Sequence, residues 1–191
     1  GETAHAEIDA ARRQAIRRNH TATHLLHRAL RLTLGEEVHQ AGSLVAPDRL
    51  RFDFTALEPM STQQAVRVAE IVNQEIARNT PVNTEVSDYK DAVAGGAMAL
   101  FGEKYGDTVR VVKVPGFSAE LCGGTHVTAT GEIGPFVVTS EGSVAAGVRR
   151  IEALTGDAAI ERILHQQQVL ESSARALRST WSDLPAQIES Q

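Results

Sequence analysis

The chain holds a single cysteine, few lysines and no long apolar run. One cysteine, Cys122, excludes an internal disulfide framework and fits a reducing compartment. No stretch approaches the ~20 apolar residues that cross a bilayer, and no basic-then-apolar leader opens the sequence as given. A cytoplasmic location without membrane contact is the expectation. The formal net charge of −5 excludes a chain that binds nucleic acid over its whole surface. Lysine is confined to Lys90, Lys104 and Lys113, so the remaining positive charge is arginine. Six arginines crowd one early segment: Arg12, Arg13, Arg17, Arg18, Arg28 and Arg31. The guanidinium fork matches phosphate, so the pattern permits a local RNA contact, while a solvated helix face explains it equally.

What is present suits one globular domain or a domain with an appendage. The 191 residues, 42% of them hydrophobic, suffice to bury a core. His5 to Leu34 lacks proline and glycine and reads as a helix stopped by Gly35. Val38 to Val45 and Leu50 to Thr55 read as strands around a Pro47-Asp48 turn, the second alternating Leu50, Phe52 and Phe54 with polar residues. Ser61 and Gln64 form a capping box ahead of the stripe Ala65, Val68, Ala69, Val72 and Ile76, and Pro81 closes that helix. Val82 to Val86, Val109 to Val114, Phe136 to Thr139 and Val148 to Leu154 complete the expected strands. Asp91 to Leu100 reads as a short helix and loop, and Glu141 to Gly147 as a glycine-punctuated connection. Helices and strands mix without a βαβ rhythm, so the expected class is α+β.

The chemistry sits in two places. His20 and His24 are four apart on the first helix, a spacing that projects two imidazoles from one face. Cys122-Gly-Gly-Thr-His126 offers a thiolate and an imidazole on a glycine-permitted turn. Either half alone is unspecific. Together they make a tetrahedral zinc set of three nitrogens and a sulfur. His27, seven residues after His20, shares its face and competes as a ligand; a buried or supporting histidine is the preferred reading. His5, His39 and His165 read as surface residues. The position after His20 is Thr21, so the glutamate base of a His-Glu-x-x-His peptidase is missing. Thr23, one residue before His24, also faces the site in the helical reading.

Four blocks carry a resemblance: NHTATHLL at 19–26, QAGSLV at 40–45 followed by DRLRFDF at 48–54, CGGTH at 122–126, and the run from Gly134 through GVRRIEALTG at 147–156. In order and content they are similar to the editing domain of alanyl-tRNA synthetases. The resemblance implies a deacylase that removes serine or glycine from mischarged tRNA(Ala), with zinc on His20, His24, Cys122 and His126. It also implies a part in editing for Gln40, and the tRNA acceptor end as partner. An editing site answers a physical need, since a pocket built for a methyl group excludes glycine poorly and rejects a small added hydroxyl poorly too. The segments for ATP binding and aminoacylation find no counterpart here, so the expectation is an excised editing part that does not activate alanine.

Several alternatives stay open at this level. Three rivals are a free-standing trans-editing protein, against which the long helix after Gly156 argues, a threonyl-type editing domain, against which Gly-Gly-Thr between Cys122 and His126 and the Gln40 block argue, and a structural zinc module that holds RNA. Four protein ligands resemble a closed structural site, whereas catalytic zinc keeps a position open; the sequence does not choose. Arg149, Gly147 and Arg18 are the expected tRNA contacts. Neighbours on a strand face opposite ways, which assigns Arg149 to the tRNA end and Arg150 to an ion pair, beside a mobile Ser143–Gly147 loop. The expected partition is an editing domain over 1–156 and a helical appendage over 157–191, leading toward a missing C-terminal region. In that appendage Ile160, Ile163, Gln167, Leu170, Ala174, Leu177 and Trp181 follow heptad spacing, so self-association through 160–181 is expected, unless the helix simply packs on its own domain.

Overall fold

The computed structural model describes residues 3–99 and 105–190. Helix α1 spans Ala10–Leu34 and begins where Asp9 caps it, the carboxylate accepting the Arg12 amide at 2.9 Å. That cap places the helix start later than the expected His5. Strands β1 (Gln40–Val45) and β2 (Leu50–Thr55) form a hairpin, helix α2 runs over Thr62–Ala77, and β3 covers Asn83–Asp88. Both bonds of the Ser61/Gln64 capping box are present at the start of α2. The short α3 (Tyr89–Ala94) precedes β4 (Thr108–Val114) and β5 (Ser118–Leu121); Leu100, the expected end of this helix and loop, lies outside the described residues. A 3-10 turn at Thr130–Ile133, strands β6 (Phe136–Ala145) and β7 (Val148–Thr155), and helices α4 (Gly156–Ala176) and α5 (Leu184–Glu189) complete the chain.

The class is α+β with antiparallel strands, divided into two sheets. One runs β1-β2-β7-β6 and the other β3-β4-β5. Helix α1 holds the fold together. Its Ala22, Leu25, Leu26, Ala29 and Leu30 pack in one cluster with Leu50, Phe52 and Phe54 of β2, Ile151 of β7, and Val68 and Val72 of α2. Each fully buried leucine contributes about 1.5–3 kcal/mol, so α1 is a firmly seated element. Asn19, 2% exposed, adds a polar tie: it donates to the Ala46 carbonyl at 2.7 Å and accepts from Thr155 Oγ1 at 2.7 Å.

Three expectations need correction. The connection expected over Glu141–Gly147 is mostly strand: β6 continues to Ala145, paired with β7, and only Ala146-Gly147 turns, with Gly147 at φ 72°. Polar and glycine residues hid a ladder that cross-strand pairing supports. Strand β5 went unexpected because four residues carry little alternation. Its announcing signal was Pro115-Gly116, which occupies the middle of a turn closed by Phe117 N–H to the Val114 carbonyl, with Gly116 at φ 77°. The C-terminal helix ends at Ala176, before Trp181, and α5 folds back so that Gln187 donates to the Leu177 carbonyl at 3.0 Å. Beyond Ala159, α4 is exposed until Ala174. Among the described residues no helix is long and apolar enough to cross a membrane.

Candidate metal centre

The rigid middle of α1 and the segment leaving β5 meet at four side chains. One donor atom from each of His20, His24, Cys122 and His126 lies within 4.8 Å of every other. Cys122 Sγ is 3.3 Å from His20 Nε2 and 3.4 Å from His126 Nε2. A tetrahedron with metal–nitrogen bonds of ~2.1 Å and metal–sulfur bonds of ~2.3 Å has N···S edges of about 3.6 Å, so the spacing fits one shared ion. His24 Nε2 is buried without any hydrogen-bond partner, as a ligand atom aimed at an ion would be. Three nitrogens and a thiolate suit zinc chemistry.

The neighbours fix how these rings stand. Thr21, fully buried, donates Oγ1–H to the Arg17 carbonyl at 3.1 Å and accepts the Val127 amide at 3.2 Å. Its remaining lone pair faces His126 Nδ1 at 3.2 Å. With its single proton used on Arg17, Thr21 accepts an Nδ1–H from His126, which leaves His126 Nε2 free toward the centre. Arg17 Nε donates to the His126 carbonyl. Gly124 has a steric reason: a Cβ there would collide with the His20 ring, whereas one at Gly123 would meet open space.

The charges favour a thiolate. Burial pushes the Cys122 thiol up, but the His126, His20 and His24 rings around it outweigh burial and hold it down to about 3. Burial alone lowers His24; the Glu120 carboxylate and Cys122 outweigh it and raise it to about 10. His126 is lowered to about 4, first by burial and then by the positive charge of His24 and His20. Metal binding at such a site exchanges protons for the ion.

A cavity of about 270 Å³ opens beside the donors, lined by His20, Thr23, His24, Gln40, Ser43, Leu121, Cys122, Gly123 and Gly124. Gln40 and Ser43 are three apart on β1, a spacing that normally puts them on opposite faces. A bulge between Gln40 and Gly42 shifts the phase, and Gln40 Nε2 donates to Ser43 Oγ at 3.3 Å. Thr23 Oγ1 donates to the Asn19 carbonyl at 2.8 Å. A larger cleft of about 540 Å³ holds Arg28, Arg31 and Lys113. Its cations are already engaged, Arg28 and Arg31 by Glu36 and Lys113 by Glu85.

Thr23 and Gln40 thus join His20, His24 and Cys122 at one cavity, whereas His126, Arg149, Gly147 and Arg18 do not line it. Arg150 forms the expected ion pair, a two-point contact to Asp53 at 2.7 and 2.8 Å. Arg149 is no freer: the longer β6 places Glu141 diagonally across from it, and the two side chains pair through both nitrogens and both oxygens. Gly147 sits at the hairpin turn, and Arg18 bridges the Glu132 carbonyl at 3.1 Å and Asp157 at 3.3 Å. Sequence reasoning missed Glu120, Thr21 and Ser43. Glu120 had a readable signal: it lies two residues before Cys122 at the end of a strand, hence on the same face.

Residues 109–152 match the family described as Threonyl and Alanyl tRNA synthetase second additional domain. The chain is 55% identical over 194 residues to an Alanine–tRNA ligase of Bordetella petrii, covering 100% of this chain and 22% of that protein. It is 52% identical over 184 residues to that of Idiomarina loihiensis (96% and 21%) and 59% identical over 162 residues to that of Solibacter usitatus (85% and 18%). The chain spans about a fifth of the length of these curated relatives.

Proposed function

Because the chain is related along nearly its whole length to one segment of Alanine–tRNA ligases, we propose that it hydrolyses the ester of mischarged tRNA(Ala), releasing serine or glycine. The observation that carries the reading is the donor set of His20, His24, Cys122 and His126, the first three of which line the cavity shared with Gln40 and Thr23. On this reading residues 1–156 form the editing domain and 157–191 a helical appendage. The acceptor end of tRNA(Ala) is the partner, and Arg149, Gly147 and Arg18 are its proposed contacts outside the cavity. For Arg149 and Arg18 this role requires phosphate to displace Glu141 and Asp157.

His20, His24, Cys122 and His126 would hold zinc, which when bound supplies Lewis acidity beside the ester. The chain's own groups supply orientation. Gln40 spends an N–H on Ser43, which leaves Oε1 as an acceptor toward water or the substrate amine. Thr23 spends its proton on Asn19 and so presents lone pairs only; a serine hydroxyl can donate to them, an alanine methyl cannot. Leu121 and the glycine loop close the cavity around a small side chain.

A second reading is favoured by the count of ligands: four protein donors close a tetrahedron, the pattern of a structural module. Deacylation of Ser-tRNA(Ala) and Gly-tRNA(Ala) by zinc-loaded protein, with Ala-tRNA(Ala) as control, separates the two. Release of serine and glycine with alanine spared is expected; inertness toward all three would leave the structural module.

A further inference from the structure

Behind the donor set lies a carboxylate that the proposed chemistry does not use. Glu120, 3% exposed, places Oε2 2.6 Å from His24 Nδ1 and Oε1 3.0 Å from His27 Nδ1. Each oxygen of the carboxylate thus faces one ring nitrogen. An ionised carboxylate only accepts hydrogen bonds. Both rings must therefore present Nδ1–H to it, and a metal that displaces the other proton of His24 is met by Nε2, the atom facing the centre. His27 stands apart from the ligands. Seven residues separate it from His20, about 10.5 Å along a helix axis, too far for one ion with bonds of ~2.1 Å. Its ring instead lies against Phe52, centroids 5.2 Å apart.

We propose that Glu120 is a positioning residue of the metal centre: it selects the Nδ1–H tautomer of His24 and aims Nε2 at the ion, while His27 braces the carboxylate from the other side and is not a ligand. The inference rests on the metal-centre reading above. Its logic is the division of labour between two elements. Helix α1 supplies two ligands and the brace; strand β5 with the residue after it supplies the aiming carboxylate and the thiolate. A carboxylate held by one ring alone can rotate about its last bond. Held by two, 2.6 and 3.0 Å away on adjacent turns of a rigid helix, it has one orientation left. Partners of this kind fix ligand rings and typically contribute 10–100-fold in metal affinity.

The test uses cobalt(II) as the probe metal, titrated into the whole chain and read by the thiolate-to-cobalt charge-transfer band and the d–d bands. Glu120→Gln is expected to bind about 10–100-fold more weakly with altered d–d bands. His27→Gln, which keeps a donor for the carboxylate, should retain the wild-type spectrum with near wild-type affinity, whereas His27→Leu should weaken binding. Nitrogen-15 NMR of the wild-type imidazoles needs no variant: His24 and His27 should both carry the proton on Nδ1, and of these two rings only His24 should shift at Nε2 when zinc is added. The proposal is overturned by wild-type affinity and spectrum in Glu120→Gln, by loss of the site in His27→Gln, or by a His24 protonated at Nε2 with Nδ1 bare. If Glu120→Gln fails to fold, the wild-type NMR decides. Wild-type protein that binds no cobalt would sink the metal reading itself, an outcome distinct from these.

Discussion

Replacing Thr21 by valine keeps its shape and deletes one hydroxyl at a fully buried position. In the native chain that oxygen serves the Arg17 carbonyl, the Val127 amide and His126 Nδ1. Arg17's carbonyl retains its helical partner, but the Val127 N–H and the His126 Nδ1–H lose theirs, in residues only 2% and 7% exposed. At about 1–3 kcal/mol for each stranded buried group, the loss is about 2–6 kcal/mol. A chain of this length drops about 2–4 °C in Tm per kcal/mol, so thermal melts should fall by at least about 4 °C. His126 has one escape, moving its proton to Nε2. That move relieves the stranded donor and blocks the atom that faces the metal, so zinc affinity should fall about 10–100-fold. Thr21→Ser keeps every bond and should retain zinc affinity. Competition against a chromophoric chelator reads the affinity, and circular dichroism the melt. A Thr21→Val protein with native Tm and native affinity would refute the proton accounting on which the description of the centre depends.

Four further outcomes follow from the same geometry. Gly124→Ala drives a Cβ into the His20 ring, so zinc affinity should fall by at least about 100-fold, more than a supporting residue costs; elemental analysis after gel filtration checks it, and full retention would contradict the cradle. Gln40→Ala should slow deacylation while zinc content and Tm stay native; unchanged rates would leave Gln40 a strand-edge amide bonded to Ser43. Asp53 is held below its ordinary 3.8, first by its hydrogen bonds to Arg150, so its stabilising contribution is full above that pH and is lost as pH falls through the lower folded value. The Tm gap between wild type and Asp53→Asn should therefore close below pH 3.8, and a gap that persists in acid contradicts the pairing. Ile160, Ile163 and Leu170 are 43–46% exposed on α4, so sedimentation at rising concentration should show dimers that Leu170→Glu abolishes; a monomer at every concentration argues against this seam.

How much of this was legible beforehand depends on which physics each element uses. The four donors could be read because ligand chemistry is local: His20 and His24 need only helical spacing, and Cys122 to His126 only a short glycine turn. Helix α2 could be read because Ser61 and Gln64 state its start and the apolar stripe its face. The extension of β6 could not, since Glu141 to Ala145 has no apolar alternation and becomes a strand only through its pairing with β7. That same pairing engages Arg149 with Glu141 and removed the distinction drawn between Arg149 and Arg150. The partners of Glu120 and Thr21 could not be read for another reason. Their roles exist only across 96 and 105 residues of chain, where helix and strand meet. The bulge that turns Ser43 toward the cavity is likewise a property of register, not of composition.

On the proposed function, one zinc ion on His20, His24, Cys122 and His126 enables ester hydrolysis at the adjoining cavity. The most direct measurement pairs two readings on the same preparations: zinc per chain by elemental analysis, and the single-turnover rate of Ser-tRNA(Ala) deacylation, for wild type and Cys122→Ala. The account expects one zinc and measurable deacylation in the wild type, and both lost together in the variant while the fold, seen by circular dichroism, persists. A Cys122→Ala protein that keeps its zinc, or a zinc-loaded wild type that leaves Ser-tRNA(Ala) intact, would contradict it.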